Sequence, residues 1–151
     1  MSLQNTITKV IAVLKAAIIG TPADYSNCKG IYEGDQMSYS NYPVICVGVP
    51  SLLDENFPVI ARLSVRDEQY TVEIVAYVKY ADTAANARQI ITLTESIRTA
   101  LRDDIKLAVG PLDGDCYQGE IGESKFTFGA KGDILLRISV TIVRYIQRIS
   151  P

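Results

Sequence analysis

The sequence predicts an α+β fold, a mostly antiparallel β-sheet with two α-helices packed on one face. Three observations lead there. Two segments repeat apolar residues at the helical period, several others alternate at the two-residue period of a half-buried strand, and the order along the chain is helix, strands, helix, strands. Two helices can cover only one face of such a sheet, so a second face has to be accounted for. With 151 residues, 48% hydrophobic and 21% charged, the chain suits a single domain, residues 1–151, whose core needs no metal or disulfide support.

The first helix is read from Leu3, Ile7, Val10, Ile11, Leu14, Ala17 and Ile18, and "GTP" stops it with a glycine followed closely by a proline. The same stretch faintly resembles a signal peptide, but Lys15 interrupts its apolar centre and no basic region precedes it, so an amphipathic helix fits better. Residues 23–42 are rich in Gly, Ser, Asn and Asp and read as loop, with a short strand at residues 31–33. Tyr25, Tyr32, Tyr39 and Tyr42 either pad this loop against the sheet or line a protein interface, where tyrosine is enriched. "PVICVGV" is an apolar strand, and "PSLLDENFP" interrupts it as a loop presenting Leu52, Leu53 and Phe57.

"ARLSV" and "YTVEIVAYVKY" read as a hairpin around the polar "RDEQ". In the second arm Tyr70, Val72, Ile74, Ala76, Val78 and Tyr80 form one apolar row, and Thr71, Glu73, Val75, Tyr77 and Lys79 the other. Asp82 or Thr83 caps the helix "TAANARQIITLTESIRTALRDD", whose stripe is Ala87, Ile90, Ile91, Thr94, Ile97 and Leu101. "IKLAV" reads as a short strand. "GPLDGDCYQGEIGESKFTFGAKGD" holds six glycines and reads as a long loop or loose hairpin, with Tyr117, Lys125, Phe126, Phe128 and Lys131 along it. Phe126 and Phe128 belong either to the core side of a hairpin arm or to a docking surface. Residues 50–58 and 110–132 are expected to be mobile until a partner orders them.

The closing segment "GDILLRISVTIVRYIQRIS" alternates for unusually long. Fully extended from Ile134 to Arg148 it spans about 50 Å, more than the roughly 35–40 Å of a compact domain this size. Ile134, Leu136, Ile138, Val140 and Ile142 fall in one row, and Leu135, Arg137, Ser139, Thr141, Val143 and Tyr145 in the other. The uniformly aliphatic first row is expected under the helices. Arg137, Val143 and Tyr145, with Val75 and Tyr77 of the preceding long strand, are expected on the second face, where a neighbouring subunit is the natural cover.

Chemistry is harder to find. The chain has no histidine, which removes Ser-His-Asp and Cys-His nucleophiles and the commonest general base. "GEIGESK" fails the phosphate-loop pattern, and "DGDCYQGE" puts Tyr117 where a calcium loop needs its third ligand. Asp103 and Asp104 end a helix as a solvated pair. Cys28, Cys46 and Cys116 are odd in number and too widely spaced for a metal pair, and read as buried or incidental thiols. No catalytic, cofactor-binding or metal-ligating residue is expected, and no membrane span. A net charge of −2 and a pI near 5.1 argue against a protein that grips nucleic-acid phosphates.

Taken together, the N-terminal helix, the strand "YPVICV", the strand "YTVEIVAYVKYAD" running into the helix "TAANARQIITLTESIRTALRDD", the Gly-rich segment and the last strand "GDILLRISVTIVRYIQR" resemble the tail terminator proteins of long-tailed bacteriophages. The resemblance covers most of the chain and rests on architecture rather than on an invariant motif. It implies a structural virion protein of the tail or neck, assembled in the host cytoplasm and without enzymatic activity. Six copies would form a ring that caps the tail tube, stops its polymerisation and offers a surface to the head connector. DNA would pass through the channel without specific binding. Leu52, Leu53, Phe57, Tyr117, Lys125, Phe126, Phe128 and Lys131 would then dock on the tube or connector. Alternatives are a head-closure or adaptor protein, a tail-tube subunit or, from another class, a small ligand-binding domain or enzyme.

Overall fold

A computed structural model of the protein describes residues 3–19, 28–55, 66–103 and 118–149. The architecture is α+β, with two helices on one five-stranded, mostly antiparallel sheet. Helix α1 (Leu3–Leu14) continues into a π-helical turn at Lys15–Ile19. Strands β1 (Gly30–Glu33), β2 (Val44–Glu55) and β3 (Arg66–Lys79) precede helix α2 (Ala84–Asp103), and strands β4 (Gln118–Lys131) and β5 (Ile134–Ile149) follow it. The spatial order is β1-β2-β3-β5-β4, with β1 parallel to β2 and every other pair antiparallel. β4 and β5 form a hairpin closed by Gly132 and Asp133, and Gly132 takes φ 61°, a left-handed conformation that suits glycine.

Both helices lie on one side, as the sequence predicts. Val10, Leu14 and Ile18 meet Ile90, Ile97 and Leu101 of α2 over Ile45, Ile74 and Val143 in one buried cluster. Each such aliphatic side chain contributes about 1.5–3 kcal/mol relative to exposure. At the start of α2, Thr83 Oγ1 accepts the Asn86 N–H at 3.1 Å, which makes Thr83 the cap. Asn86 is itself buried: its amide donates to Lys79 O, and its oxygen accepts from Ala81 N and from Arg137 Nε. One side chain thus fixes the helix start to the ends of two strands. The helical stripe runs through Ile90, Leu93, Ile97 and Leu101, while Ile91 turns outward and is 46% exposed.

Three segments are strand where the sequence suggests a loop, a hairpin turn and a long loop or loose hairpin. β2 continues through "PSLLDE" after an irregularity between Gly48 and Ser51, so Leu52 and Leu53 pair with Tyr70 and Gln69. The bulge absorbs Pro50, which cannot donate to a ladder. "RDEQ" opens β3 because β2 and β5 flank it on both sides and satisfy its backbone, so its polar side chains do not decide its conformation. The Gly-rich residues 118–131 form β4, held along their length by β5. Phe57, Tyr117, Cys116, "ARLSV" and "IKLAV" lie outside the described residues.

The largest correction concerns β5. Val143 and Tyr145 are fully buried in the helix-side core and are not on the second face. The reason is register. β3 and β5 pair Val72 with Val143, Ile74 with Thr141 and Ala76 with Ser139, and directly opposed residues share a face. The apolar row of β3 therefore brings the mixed row of β5 under the helices. That row is made tolerable by hydrogen bonds: Thr94 Oγ1 of α2 bonds Ser139 Oγ at 2.7 Å, and Ser124 Oγ lies 2.8 Å from Thr141 Oγ1. Arg98 closes the seam, donating to Ser124 Oγ and to Gly122 O. The aliphatic row Ile138, Val140 and Ile142 is left on the second face, beside Tyr77, Val75 and Glu73.

Candidate functional site

The second face is divided in two. At one end the connection between β1 and β2 folds across it as a strap. Gly34, at φ 75°, turns the chain out of β1. Tyr39 then lies beside Tyr32, Tyr42 and Tyr77, with ring centroids 5.1–6.0 Å apart. These rings pack with Val44, Cys46 and Leu136 as a second, smaller core, and Ile134 and Ile138 flank it. Tyr39 and Tyr42 therefore pad the sheet, Tyr32 belongs to β1 itself, and Tyr25 lies outside the described residues.

Asp35 is the hub of the strap. Its carboxylate accepts from Tyr77 Oη at 2.6 Å, from Tyr39 Oη at 3.0 Å and, weakly, from the Cys46 thiol at 3.8 Å. Lys131, at the end of β4, is 3.0 Å from it and also donates to Gln36 O at 2.6 Å. The same ammonium sits 5.0 Å from the Tyr77 ring centroid and 5.7 Å from that of Tyr39. Burial works to raise the Asp35 pKa, but the hydrogen bonds from Tyr77, Lys131 and Tyr39, with the charge of Lys131, hold it below the ordinary carboxylate value. Burial pushes the Cys46 thiol up to about 11 and raises both Tyr39 and Tyr77. A thiol raised in this way stays protonated at neutral pH and is a poor nucleophile. The polar cluster thus acts as a fastener between a loop and an edge strand.

Beyond the strap the face is open. Two adjoining depressions of about 330 and 370 Å³ share Val140. The first is lined by Asp35, Glu73, Val75, Tyr77 and Ile138, and the second by Gly122, Glu123, Lys125, Ile142 and Arg144. Of the residues expected at a subunit interface, Val75 lines this opening and Tyr77 is mostly covered by the strap. Val143 and Tyr145 are core, and Arg137 belongs to the helix-side row. Sequence reasoning missed Ile138, Val140 and Ile142, whose aliphatic character marked them for the core.

The expected docking residues also separate. Lys131 is occupied by the strap, and Lys125 is exposed beside Val140 on the second face. Phe126 and Phe128 stand on the helix-side row of β4, opposite Ser139 and Arg137, and are 52% and 66% exposed. They are therefore not core. Phe128 and Leu135, the latter 61% exposed, line an apolar depression of about 350 Å³ with Tyr80, Gly129 and Leu136. Phe128 meets Tyr80 edge-on at 5.9 Å, and the Arg137 guanidinium lies 4.9 Å from the Tyr80 ring and 5.3 Å from that of Phe128.

Among the described residues, no three His, Cys, Asp or Glu side chains gather as metal ligands, and no helix is long and apolar enough to cross a membrane. No protein-family model and no curated protein matches the chain. Among solved structures, the chain is similar to one from the virion of a native gene transfer agent particle, with a TM-score of 0.52 and 13% identity, covering 91% of this chain and 97% of that one. At that identity the likeness is one of fold, and it extends over nearly the whole of both chains.

Proposed function

We propose that this chain is a non-enzymatic structural subunit of a phage-like particle, and specifically a tail terminator. Copies close into a ring of six that caps the tail tube, stops its polymerisation and presents a surface to the head connector. DNA passes through the channel without being held, in keeping with a net charge of −2. Its place is the tail or neck of the virion, after assembly in the host cytoplasm. The fold likeness to a virion chain supports the class. The observation that carries the assembly is the row Ile138, Val140 and Ile142, which the register turns away from the helices and the strap covers only in part. An aliphatic row on an open face calls for a partner surface.

A head-closure or adaptor protein would also form closed rings, whereas a tube subunit would stack without limit. Sedimentation of the purified protein over a range of concentrations separates the last case from the first two. A species of six chain masses that stops growing is the expected result, and adding it to growing tubes of the particle's tube protein then halts their growth while free tube protein remains. Open-ended polymers would assign the chain to the tube.

A further inference from the structure

The strap is tied to the sheet through few groups. Its backbone is bonded to the rest of the chain at its two ends, where Gly34 N–H donates to Val47 O at 2.8 Å and Lys29 N–H donates to Pro43 O at 2.7 Å. Between those ends, among the described residues, every hydrogen bond to the sheet passes through Asp35 or Lys131: Asp35 accepts from Tyr77, Cys46 and Lys131, and Lys131 donates also to Gln36 O. Of residues 35–42 only Tyr39 is buried, and Met37 is 93% exposed. Tyr39 packs on Val44, Cys46, Tyr77 and Leu136, and of these Cys46 and Tyr77 also line the depression that opens at Val140. The covered floor and the open depression are one surface, divided by the strap.

We propose that the strap is a hinged cover, which swings off the sheet about Gly34 and Pro43 while the rest of the fold stays intact, with the Asp35–Lys131 pair as its latch. Open, it joins Val44, Cys46, Tyr77 and Leu136 to Ile138 and Val140 as one apolar trough along β3 and β5. Opening unpacks one buried ring and breaks a cluster whose carboxylate side chain is 48% exposed, but it leaves every strand pairing and the helix-side core untouched, which makes it a local event rather than unfolding. Gly34, already at φ 75°, accepts the change of chain direction that a hinge requires. The inference concerns a single subunit and does not depend on the ring reading.

Two buried free thiols report on the cover. Cys46 lies under the strap and Cys28 in the helix-side core. Modification of the full chain by N-ethylmaleimide, read for each cysteine by peptide mass, therefore separates the cover from the core. The variant is Lys131→Met, with circular dichroism as a check on folding. Burial is the first cause of the raised Cys46 pKa, but of the charges beside it Asp35 raises it and Lys131 lowers it. With the strap still closed, loss of Lys131 would thus slow Cys46, because less of it would be thiolate. Release of the latch gives the opposite sign: Cys46 reacts about tenfold faster, and Cys28 keeps its wild-type rate. In wild type, urea below the unfolding transition should barely change the Cys46 rate, since a local opening exposes little surface, and this measurement decides the matter should Lys131→Met lose its native spectrum. A Cys46 rate that is slowed or unchanged in Lys131→Met overturns the proposal. So does a Cys28 rate that rises by the same factor, or a wild-type Cys46 rate that climbs with urea as steeply as global unfolding, and each of these leaves the ring reading untouched.

Discussion

The two faces of the sheet invert the usual relation between composition and burial. The helix-covered face includes Ser139 and Thr141, both fully buried, whereas the second face carries Ile138, Val140 and Ile142, all only partly buried. Burial of hydroxyls is acceptable when each finds a partner: Thr94 is the partner of Ser139 and Ser124 that of Thr141, with Arg98 donating to Ser124 in turn. Exposure of an aliphatic row has no equivalent local remedy. The comparison shows that side-chain polarity alone does not assign a strand's faces, since hydrogen-bond partners on a neighbouring helix and surfaces outside the subunit also enter.

The largest effect expected from this difference follows from placing the same charge on each face. Val143→Asp puts a carboxylate among the aliphatic side chains of the helix-side core, at a cost of several kcal/mol against a total stability of about 5–15 kcal/mol. It should abolish the thermal unfolding transition or lower its midpoint drastically. Val140→Asp should leave the transition within a few degrees of wild type. If both variants unfold alike, the second face is as closed as the first and the distinction between them fails.

A middle-sized effect probes why the polar row is tolerated. Thr94→Val keeps the shape of the α2 side chain and leaves Ser139 Oγ without its 2.7 Å partner in a fully buried site. The cost should be about 1–3 kcal/mol by chemical denaturation, that of a stranded buried polar group. Adding Ser139→Ala should recover part of the loss, because the stranded hydroxyl is then gone, so the double variant should be less unstable than the two single costs added together. Strict additivity would mean that the two hydroxyls are not coupled and that α2 is held by its apolar stripe alone.

The two faces also differ in how far the sequence reveals them. β3 was legible because Glu73 and Lys79 mark one of its rows as outward, leaving Val72, Ile74, Ala76 and Val78 for the core, where they lie. In β5 both rows contain large apolar residues, so alternation defines the rows without saying which is inside. That choice is made by register against β3, a long-range property with no local signature. β4 was obscured by its glycines, which weaken strand propensity but do not prevent pairing with a 16-residue neighbour. α1 and α2, whose signals are local, were placed correctly, and Thr94 within the α2 stripe was the available hint that a polar partner lay beneath it. At the candidate site, the tyrosines of the strap were visible as a cluster. The contact between Asp35 and Lys131 joins residues far apart in sequence, and no spacing rule connects them.

The smallest effect concerns the strap, which decides how much of the second face is open. Its hub, Asp35, has a folded-state pKa below its ordinary value, whereas the unfolded chain should titrate near 3.9. A depressed carboxylate pKa contributes stability that is fully present above the unfolded pKa and is lost as pH falls through the folded one. The groups that touch Asp35 are Tyr39, Tyr77, Cys46 and Lys131, none of them a carboxylic acid, so in acid Asp35 is the member of this cluster that changes charge. Asp35→Asn removes that charge at every pH. Because the carboxylate side chain is 48% exposed, the loss at neutral pH should be small, about 1 kcal/mol or less. The melting temperatures of Asp35→Asn and wild type should therefore differ by a few degrees at pH 7 and converge as the pH falls through the depressed folded-state pKa, where the wild-type carboxylate becomes neutral. The gap for Lys131→Met should narrow in acid without closing, since its bond to Gln36 O and its contacts with the Tyr77 and Tyr39 rings do not depend on the carboxylate. A gap that persists unchanged into acid would mean that the strap is held by its tyrosine packing alone and that the carboxylate is incidental to how the second face is covered.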